Sequence, residues 1–481
     1  MITMVKGLKL NSGSGTAASS SSSPRSASSE SSTTTISAIS LLKFPFKLTK
    51  DQIDAVDAWM SNGCKGSIIY STGTGKTEIA FECAKRASEA SALDKAKDMS
   101  NSNNNQSFNI LFLVPRIVLI QQNIDRLIKY GIPQDKIGTY FGERKETSEI
   151  TISTYQSVVS NINLINNSKM IIFDEVHLVS DTAATLRKVF DFAIATDPKK
   201  PLLGLTATID EQDPRYDTIL SLLPPVKKYT IRDAVKDKRL ARPVVIPIKV
   251  DLTNDEQKIY DECTKKIRNI SGYLHTSDPK SITSLLKRGG RSAGLARAWF
   301  ANVQERKNLI NCAKNKLLAA VEIISTKHPS ERIMVFSETI ESIQMLKEML
   351  QNKRIKSMLI DSKLRSKDRG KILSEWGKEF FPLLSVHTLE IGYDVPEVRV
   401  AIILATTSNM NQIVQRIGRT IRKTAGKDTA LIYTIYLSYT RDFNTLKMVR
   451  QATDVVVHEN KGQRGSTSST TTAANLDRYI I

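Results

Sequence analysis

The chain has 481 residues, 40% of them hydrophobic, and its 69 lysines and arginines against 49 acids leave a formal net charge of +20. That length suggests about three domains, and the charge favours a polyanionic partner, nucleic acid before an anionic membrane. The longest apolar run, "NILFLVPRIVLI", is broken by Pro115 and Arg116 and falls short of the ~18 residues that span a bilayer, while Cys64, Cys83, Cys263, Cys312 and five histidines are too scattered for a disulfide framework or a zinc site, so we expect no membrane and a reducing cytoplasmic setting, nuclear in a eukaryote.

Residues 11 to 35, "NSGSGTAASSSSSPRSASSESSTTT", hold too little apolar sequence to offset chain entropy, so residues 1–42 are expected to be disordered. Few basic residues and no amphipathic helix argue against a transit peptide. "GSIIY" then reads as a buried strand and "TEIAFECAKRA" as a helix, with "STGTGKT" between them. A strand–loop–helix of this kind holds a polyphosphate on converging backbone N–H groups. Gly73, Thr74 and Gly75 form the turn, Lys76 supplies an ammonium, and Thr77 supplies a hydroxyl for Mg²⁺. Tyr70 stands where the common phosphate-loop pattern has its first glycine, so a shorter form of loop is needed, with Ser71 and Thr72 at its start. The alternative, a glycine-rich turn with a chance lysine, does not account for the flanking strand and helix.

Further along come the strand candidates "NILFLVP", "EITIST", "KMIIFDE" and "LLGLTAT", with a polar loop, "KDMSNSNNNQS", before the first of them. After a break follow "VVIPIKV", "RIMVFSE", "PLLSVHT", "VAIILAT" and "ALIYTIY". Helical stretches alternate with them, which predicts two α/β domains with parallel sheets. Residues 254 to 320 lack a strand signal and read as a helical insertion. The tail after 455 resembles the N-terminus in composition and is expected to be disordered.

"KMIIFDEVH" ends an apolar strand in two carboxylates, at the end of the strand where α/β sheets bind ligands. Asp174 there suits Mg²⁺, and Glu175 suits orienting and deprotonating a water that attacks a γ-phosphate. An acidic turn after a strand is common, and the pair gains meaning from the phosphate loop upstream.

These motifs, in this order, resemble superfamily 2 helicases over roughly residues 44 to 455, a family whose phosphate loop lacks the first glycine. The resemblance implies two tandem RecA-like domains, at 43–235 and 236–455, with a thumb-like insertion at about 254–315 and a disordered tail at 456–481. It implies ATP as the nucleotide, with Gln52 of "LTKDQ" reading adenine and Lys76, Thr77, Asp174 and Glu175 serving catalysis and Mg²⁺. From the second half, "QRIGRTIR" contributes Gln415, Arg416 and Arg419, and "SVHTLEIGYDVPEV" contributes Gly392 and Asp394. An arginine arriving from a second domain ties hydrolysis to closure of the cleft. Nucleic-acid contacts are implied for Pro115 and Arg116, for Thr154, Tyr155 and Gln156, and for Ser337 and Thr388. "LTATI" matches the motif that couples hydrolysis to domain movement.

Within the superfamily, "GERKETSEITISTYQS", "DEVH" and "LARPVVIPIKVDLTNDEQKIYDE" resemble the XPB/Rad25 branch, its archaeal members in particular. That implies a 3′–5′ DNA helicase or translocase acting at single-stranded/duplex junctions in repair or transcription, with a nuclease or repair factor as a possible partner. Two departures stand out. Glu211, Gln212 and Asp213 occupy the place of the family's Arg-Glu-Asp triplet, and only about forty residues precede the core. Duplex translocation without strand separation is therefore an alternative, and so is an RNA helicase, since the core motifs do not select the sugar. "LLKRGGRSAGLARAWF" places Lys287, Arg288, Arg291 and Arg297 near Trp299 and Phe300, which reads either as phosphate contacts with base-stacking rings or as an amphipathic helix with a solvated basic face.

Overall fold

The computed structural model describes residues 37–97, 107–361, 364–386, 397–405, 410–424 and 426–453. Residues 1–36 and 454–481 and most of the polar loop near 100, all expected to be unstructured, lie outside them.

Two sheets organise the chain. The first comprises β1 (Lys65–Tyr70), β2 (Ile110–Val114), β3 (Ile137–Phe141), β4 (Arg144–Glu146), β5 (Ile150–Thr154), β6 (Met170–Asp174), β7 (Leu202–Thr206) and β8 (Pro225–Tyr229). Their order is β4-β3-β5-β2-β6-β7-β1-β8, and β3–β4 is its antiparallel pair. The second comprises β9 (Arg242–Val250), β10 (Ile333–Ser337), β11 (Met358–Ile360), β12 (Pro382–Val386), β13 (Val400–Ile403) and β14 (Thr429–Leu437). Its order is β11-β12-β10-β13-β14-β9, with parallel pairing throughout. This is the α/β architecture of two tandem RecA-like units.

Parallel strands covered by helices on both faces read as unbroken apolar runs. β2, β5, β7 and β12 are buried at every position, which is why their sequences announced them. Four further strands did not announce themselves. β4, "RKE", is fully exposed, as suits a charged edge strand, and β8, "PVKKY", is only partly covered. β3 is part-buried beside β4, and β11 has three residues.

Residues 38–41 form a 3₁₀ turn with Ala38, Ile39 and Leu42 buried, so order begins inside the segment expected to be disordered. The sequence there, "ISAISLL", is apolar where the preceding residues are serine and threonine.

Three helices, Asn254–Leu274, Pro279–Arg288 and Gly290–Cys312, form the insertion between β9 and β10. Thr253 and Glu256 close a capping box at its first helix. Ile282, Ala296 and Trp299 make its small core. Trp299 is 6% exposed and its indole N–H donates to Ser271 Oγ at 2.9 Å. Of the two readings of this stretch, the amphipathic helix with the ring in the core is the one this ring follows, since it packs the insertion together. Lys287, Arg288, Arg291 and Arg297 are exposed.

Candidate active site

β1 delivers the chain to the phosphate loop at Tyr70, which is fully buried. Its ring stacks on Tyr229 at 4.6 Å, and its hydroxyl donates to Asp51 and accepts from Arg239 at 2.9 Å. The missing glycine is thus a strand residue packed under the loop. The loop turns at Gly73 and Gly75, with φ of +78° and +94°. A Cβ on Gly75 would overlap the Gln52 amide. Gln52 is buried, donates to the Thr74 carbonyl at 3.2 Å and accepts from the Thr49 N–H at 2.9 Å. The helix Lys76–Lys97 starts directly after the turn. Ser71 Oγ and Thr72 Oγ1 are buried at the loop without a hydrogen-bond partner among the described residues. Buried hydroxyls are costly in that state, so the loop is built for a polar ligand.

Asp174 is the last residue of β6. Glu175 follows in the left-handed region, φ +52° and ψ +51°, a costly conformation for a residue with a side chain. The turn brings one carboxylate oxygen 3.4 Å from Lys76 Nζ and the other 3.3 Å from His177 Nδ1. His177 shares a 2.9 Å hydrogen bond with Thr206 Oγ1, at the end of β7 and the start of the "TAT" motif. Burial, and then the charge of Glu175, push the Asp174 carboxyl up to about 7. Burial alone would raise Glu175 as well, but the Lys76 ammonium and His177 hold it low. Two adjacent carboxylates, Glu175 buried and Asp174 partly buried, beside the Lys76 ammonium and with Thr77 lining the same cavity, are a donor set that fits Mg²⁺.

The opposite wall comes from the second sheet. Gln415, Gly418 and Arg419 of the helix Met410–Thr420, with Arg422 and Lys423 beyond it, line a cavity of about 430 Å³. Thr72, Gly73, Lys76, Thr77, Asp174 and Glu175 line the same cavity. A Cβ on Gly418 would overlap the Thr72 side chain, so the helix lies directly against the phosphate loop. Lys427, buried behind it, donates to the carbonyls of Val398, Thr420 and Arg422 and ties down the helix end.

Arg416 does not join this wall. It is 1% exposed, bonds Glu338 at 3.1 Å and the Ala405 carbonyl at 3.3 Å, and lies over the Phe336 ring. Its expected catalytic role is corrected to a buried ion pair inside the second unit, because the helix turns neighbouring residues about 100° apart. Arg422, not singled out from sequence, takes a place in the cavity instead; its spacing of three from Arg419 was the available signal. Arg239 was missed too. It reaches back from the connection between the sheets to the Thr49 hydroxyl at 3.0 Å, and to Asp51 and the Thr74 carbonyl.

The expected nucleic-acid contacts separate. Arg116 and Gln156 are exposed and Pro115 is half-buried. Thr154 and Tyr155 are buried, and the Tyr155 hydroxyl donates to the Asp174 carbonyl at 2.8 Å. Ser337 is fully buried on Ser342 Oγ at 2.6 Å. In this conformation these three support the loops and leave no surface for a strand. Thr388, Gly392 and Asp394 lie outside the described residues. Glu211 pairs with Lys228, and Asp213 with Arg215 through 2.8 and 3.0 Å hydrogen bonds. Among the described residues no helix is long and apolar enough to cross a membrane.

Comparison with known proteins agrees with this arrangement. Residues 45–211 match the family described as "Type III restriction enzyme, res subunit", and residues 313–424 match "Helicase conserved C-terminal domain". The chain is 26% identical over 420 residues to the DNA 3'-5' translocase XPB2 of Sulfurisphaera tokodaii, covering 85% of this chain and 87% of that protein. It is 25% identical to the DNA 3'-5' helicase XPB of Mycobacterium tuberculosis, covering 82% of this chain but only 62% of that longer protein. The Pyrococcus furiosus Hef helicase domain shares the fold, with a TM-score of 0.54 at 16% identity, over 83% of this chain and 98% of that one. The phosphate loop, the paired carboxylates and the arginine helix each lie inside a matched region, so the chain carries both helicase-type domains and is similar over most of its length to XPB-named DNA 3'-5' helicases and translocases.

Proposed function

We propose that the protein is an ATP-driven motor that tracks along DNA with 3′–5′ polarity, and that the cavity between its two sheets is where ATP is hydrolysed. The observation that carries this reading is the shared cavity itself, which sets Lys76 and Glu175 of the first unit opposite Arg419 and Arg422 of the second. The loop N–H groups and Lys76 bind the phosphates, and Gln52, whose amide is bonded to Thr49 and the Thr74 carbonyl, reads the base by exchanging those bonds. Thr77 and Asp174 would hold Mg²⁺, which neutralises charge on the phosphates. Glu175, kept ionised by Lys76 and His177, orients the attacking water and takes its proton. Arg419 and Arg422 stabilise the charge that gathers on the transferred phosphoryl group, and they do so only with the cleft closed. Glu175 and Thr206 compete for the same ring nitrogen, His177 Nδ1, which links the state of Glu175 to the motif associated with domain movement.

Glu211, an acid where the resembled family has an arginine, favours a second form of this activity, duplex translocation without strand separation. Steady-state hydrolysis without nucleic acid, and with single-stranded, duplex and forked DNA and RNA, tests the proposal when run beside displacement from a 3′-tailed duplex. DNA-stimulated hydrolysis with displacement supports the helicase form. Stimulation by duplex without displacement supports the translocase form. RNA as the sole stimulant overturns the choice of DNA.

A further inference from the structure

At the far edge of the second sheet, the turn after β14 displays a tyrosine in an unusual way. Tyr439 is 96% exposed and held at φ +56°. A side-chain-bearing residue gains nothing for folding from that backbone when its ring is in solvent, and such outliers concentrate at functional positions. Lys249 of β9 lies over the same ring, its Nζ 5.6 Å from the centroid. Phe443 is 51% exposed and stands edge-on to Tyr436 at 5.8 Å, and Arg441 and Lys447 are exposed alongside.

The turn is rigid underneath. Asp442 Oδ2 accepts from the Leu437 N–H at 2.9 Å and from Lys316 Nζ at 2.7 Å. The two side chains of that ion pair are 0% and 4% exposed. Ser438 N–H donates to the Val250 carbonyl at 3.2 Å, which fixes the turn to β9 as well. Asp442 is the sole acid between Tyr436 and Lys447, and its carboxylate is spent inside. The exposed side chains of the turn itself are therefore aromatic and basic, while Asp251, two residues beyond Lys249, is exposed beside them.

The position matters too. β9 and β14 run parallel to β13, so the turn stands on the rim of the sheet formed by the strands' carboxyl ends. The helix carrying Gln415 and Arg419 follows β13 from the same rim, and the helical insertion leaves β9 there. In sheets of this kind that rim is where ligands bind.

We infer that the Tyr436–Phe443 turn is a preformed platform for single-stranded nucleic acid, with one base stacked on Tyr439 and the flanking phosphates met by Lys249 and Arg441. This rests on the reading of the protein as a nucleic-acid motor and adds a specific contact to it. Stacking on an aromatic ring tolerates every base, which suits a motor that moves over any sequence. Rigid presentation of the ring limits the entropy lost on binding.

The test is the affinity of the full chain for a fluorescent oligodeoxythymidylate and for a matched strand of abasic sites, by anisotropy. Tyr439→Ala is expected to weaken the thymidylate complex roughly tenfold, within the effect of one stacked base. Tyr439→Phe is expected to retain it. On the abasic strand, wild type and Tyr439→Ala are expected to bind alike. Tyr439→Gly, which relieves the backbone, is expected to melt no lower than wild type while losing the same affinity. Equal affinity of wild type and Tyr439→Ala for the thymidylate overturns the platform, as does an equal loss on both strands. If wild type binds no strand and its hydrolysis ignores DNA, the motor reading fails and takes the platform with it. If DNA stimulates hydrolysis in both proteins and the affinities coincide, the platform alone fails.

Discussion

Gly418 lies so close to Thr72 that a single added carbon on the glycine would overlap the threonine side chain. One residue belongs to the arginine helix of the second unit and the other to the phosphate loop of the first, so the contact fixes how far the cleft can close. Gly418→Ala separates local from global effects. Alanine is the better helix former by about 1 kcal/mol, so the helix itself gains. The clash holds Arg419 and Arg422 back from the phosphates, and misplacement of about 1 Å can cost about a hundredfold in rate. The expected outcome is a melting temperature at or above wild type with hydrolysis reduced on the order of a hundredfold. Unchanged steady-state phosphate release would mean that closure does not run through this contact.

Lys76→Ala and Glu175→Gln are expected to lower ATP hydrolysis by at least about a hundredfold, the usual share of a general base or a phosphate-binding cation. They should differ in binding. The glutamine keeps the shape of Glu175, so titration with a fluorescent ATP analogue should show near wild-type affinity, whereas Lys76→Ala should lose it. Full turnover in either variant would end the assignment of this cavity.

Arg416 and Arg419 are three residues apart on one helix and should fail in opposite ways. Arg416 is sealed against Glu338 at 3.1 Å, with side-chain exposures of 1% and 6%. Arg416→Ala removes one partner of that buried carboxylate, and breaking a buried ion pair costs about 3–5 kcal/mol. Chemical denaturation should show that loss. Arg419→Ala, on the cavity wall, should lose more turnover than stability. The reverse pattern would restore Arg416 to the catalytic wall.

That contrast shows where the sequence was legible and where it was not. The apolar runs of β2, β5, β7 and β12 reported strands because both their faces are covered. The phosphate loop and the paired carboxylates were legible because their chemistry is local. Within "QRIGRTIR", spacing does not divide the arginines: 416 and 419 stand three apart on one helix and 422 lies beyond its end, so only packing separates their roles. Tyr155 and Ser337 sat in loop motifs, and only packing shows that their hydroxyls are used internally. Arg239 had no local signal, since its partner Thr49 is 190 residues earlier in the chain.

Arg239 connects the hinge region to the nucleotide pocket, and its loss should register in binding more than in chemistry. It contacts Thr49, Asp51, Tyr70 and the Thr74 carbonyl, which surround Gln52 and the phosphate loop, and it lines the cavity. Arg239→Ala is expected to raise KM for ATP about tenfold while changing kcat less, because the residue faces the base side of the loop and not the carboxylates. A fall in kcat with KM unchanged would instead place it with the transition-state groups.

The basic face of the helical insertion gives a prediction in salt. Lys287, Arg288, Arg291 and Arg297 are exposed, and none pairs with a carboxylate among the described residues. Trp299 is held inside by Ser271, so this face can contribute charge but not the indole as a stacking surface. Each phosphate neutralised by such a residue releases counterions and adds about 0.9 to the slope of log affinity against log salt on duplex DNA. Replacing all four by glutamine should therefore flatten that slope by about 0.9 for every phosphate these side chains neutralise, with hydrolysis in the absence of DNA unchanged. The substituted side chains are in solvent, so the melting temperature should hold. A slope that does not move would show that the duplex never reaches this face, and that the charge of the chain meets nucleic acid elsewhere.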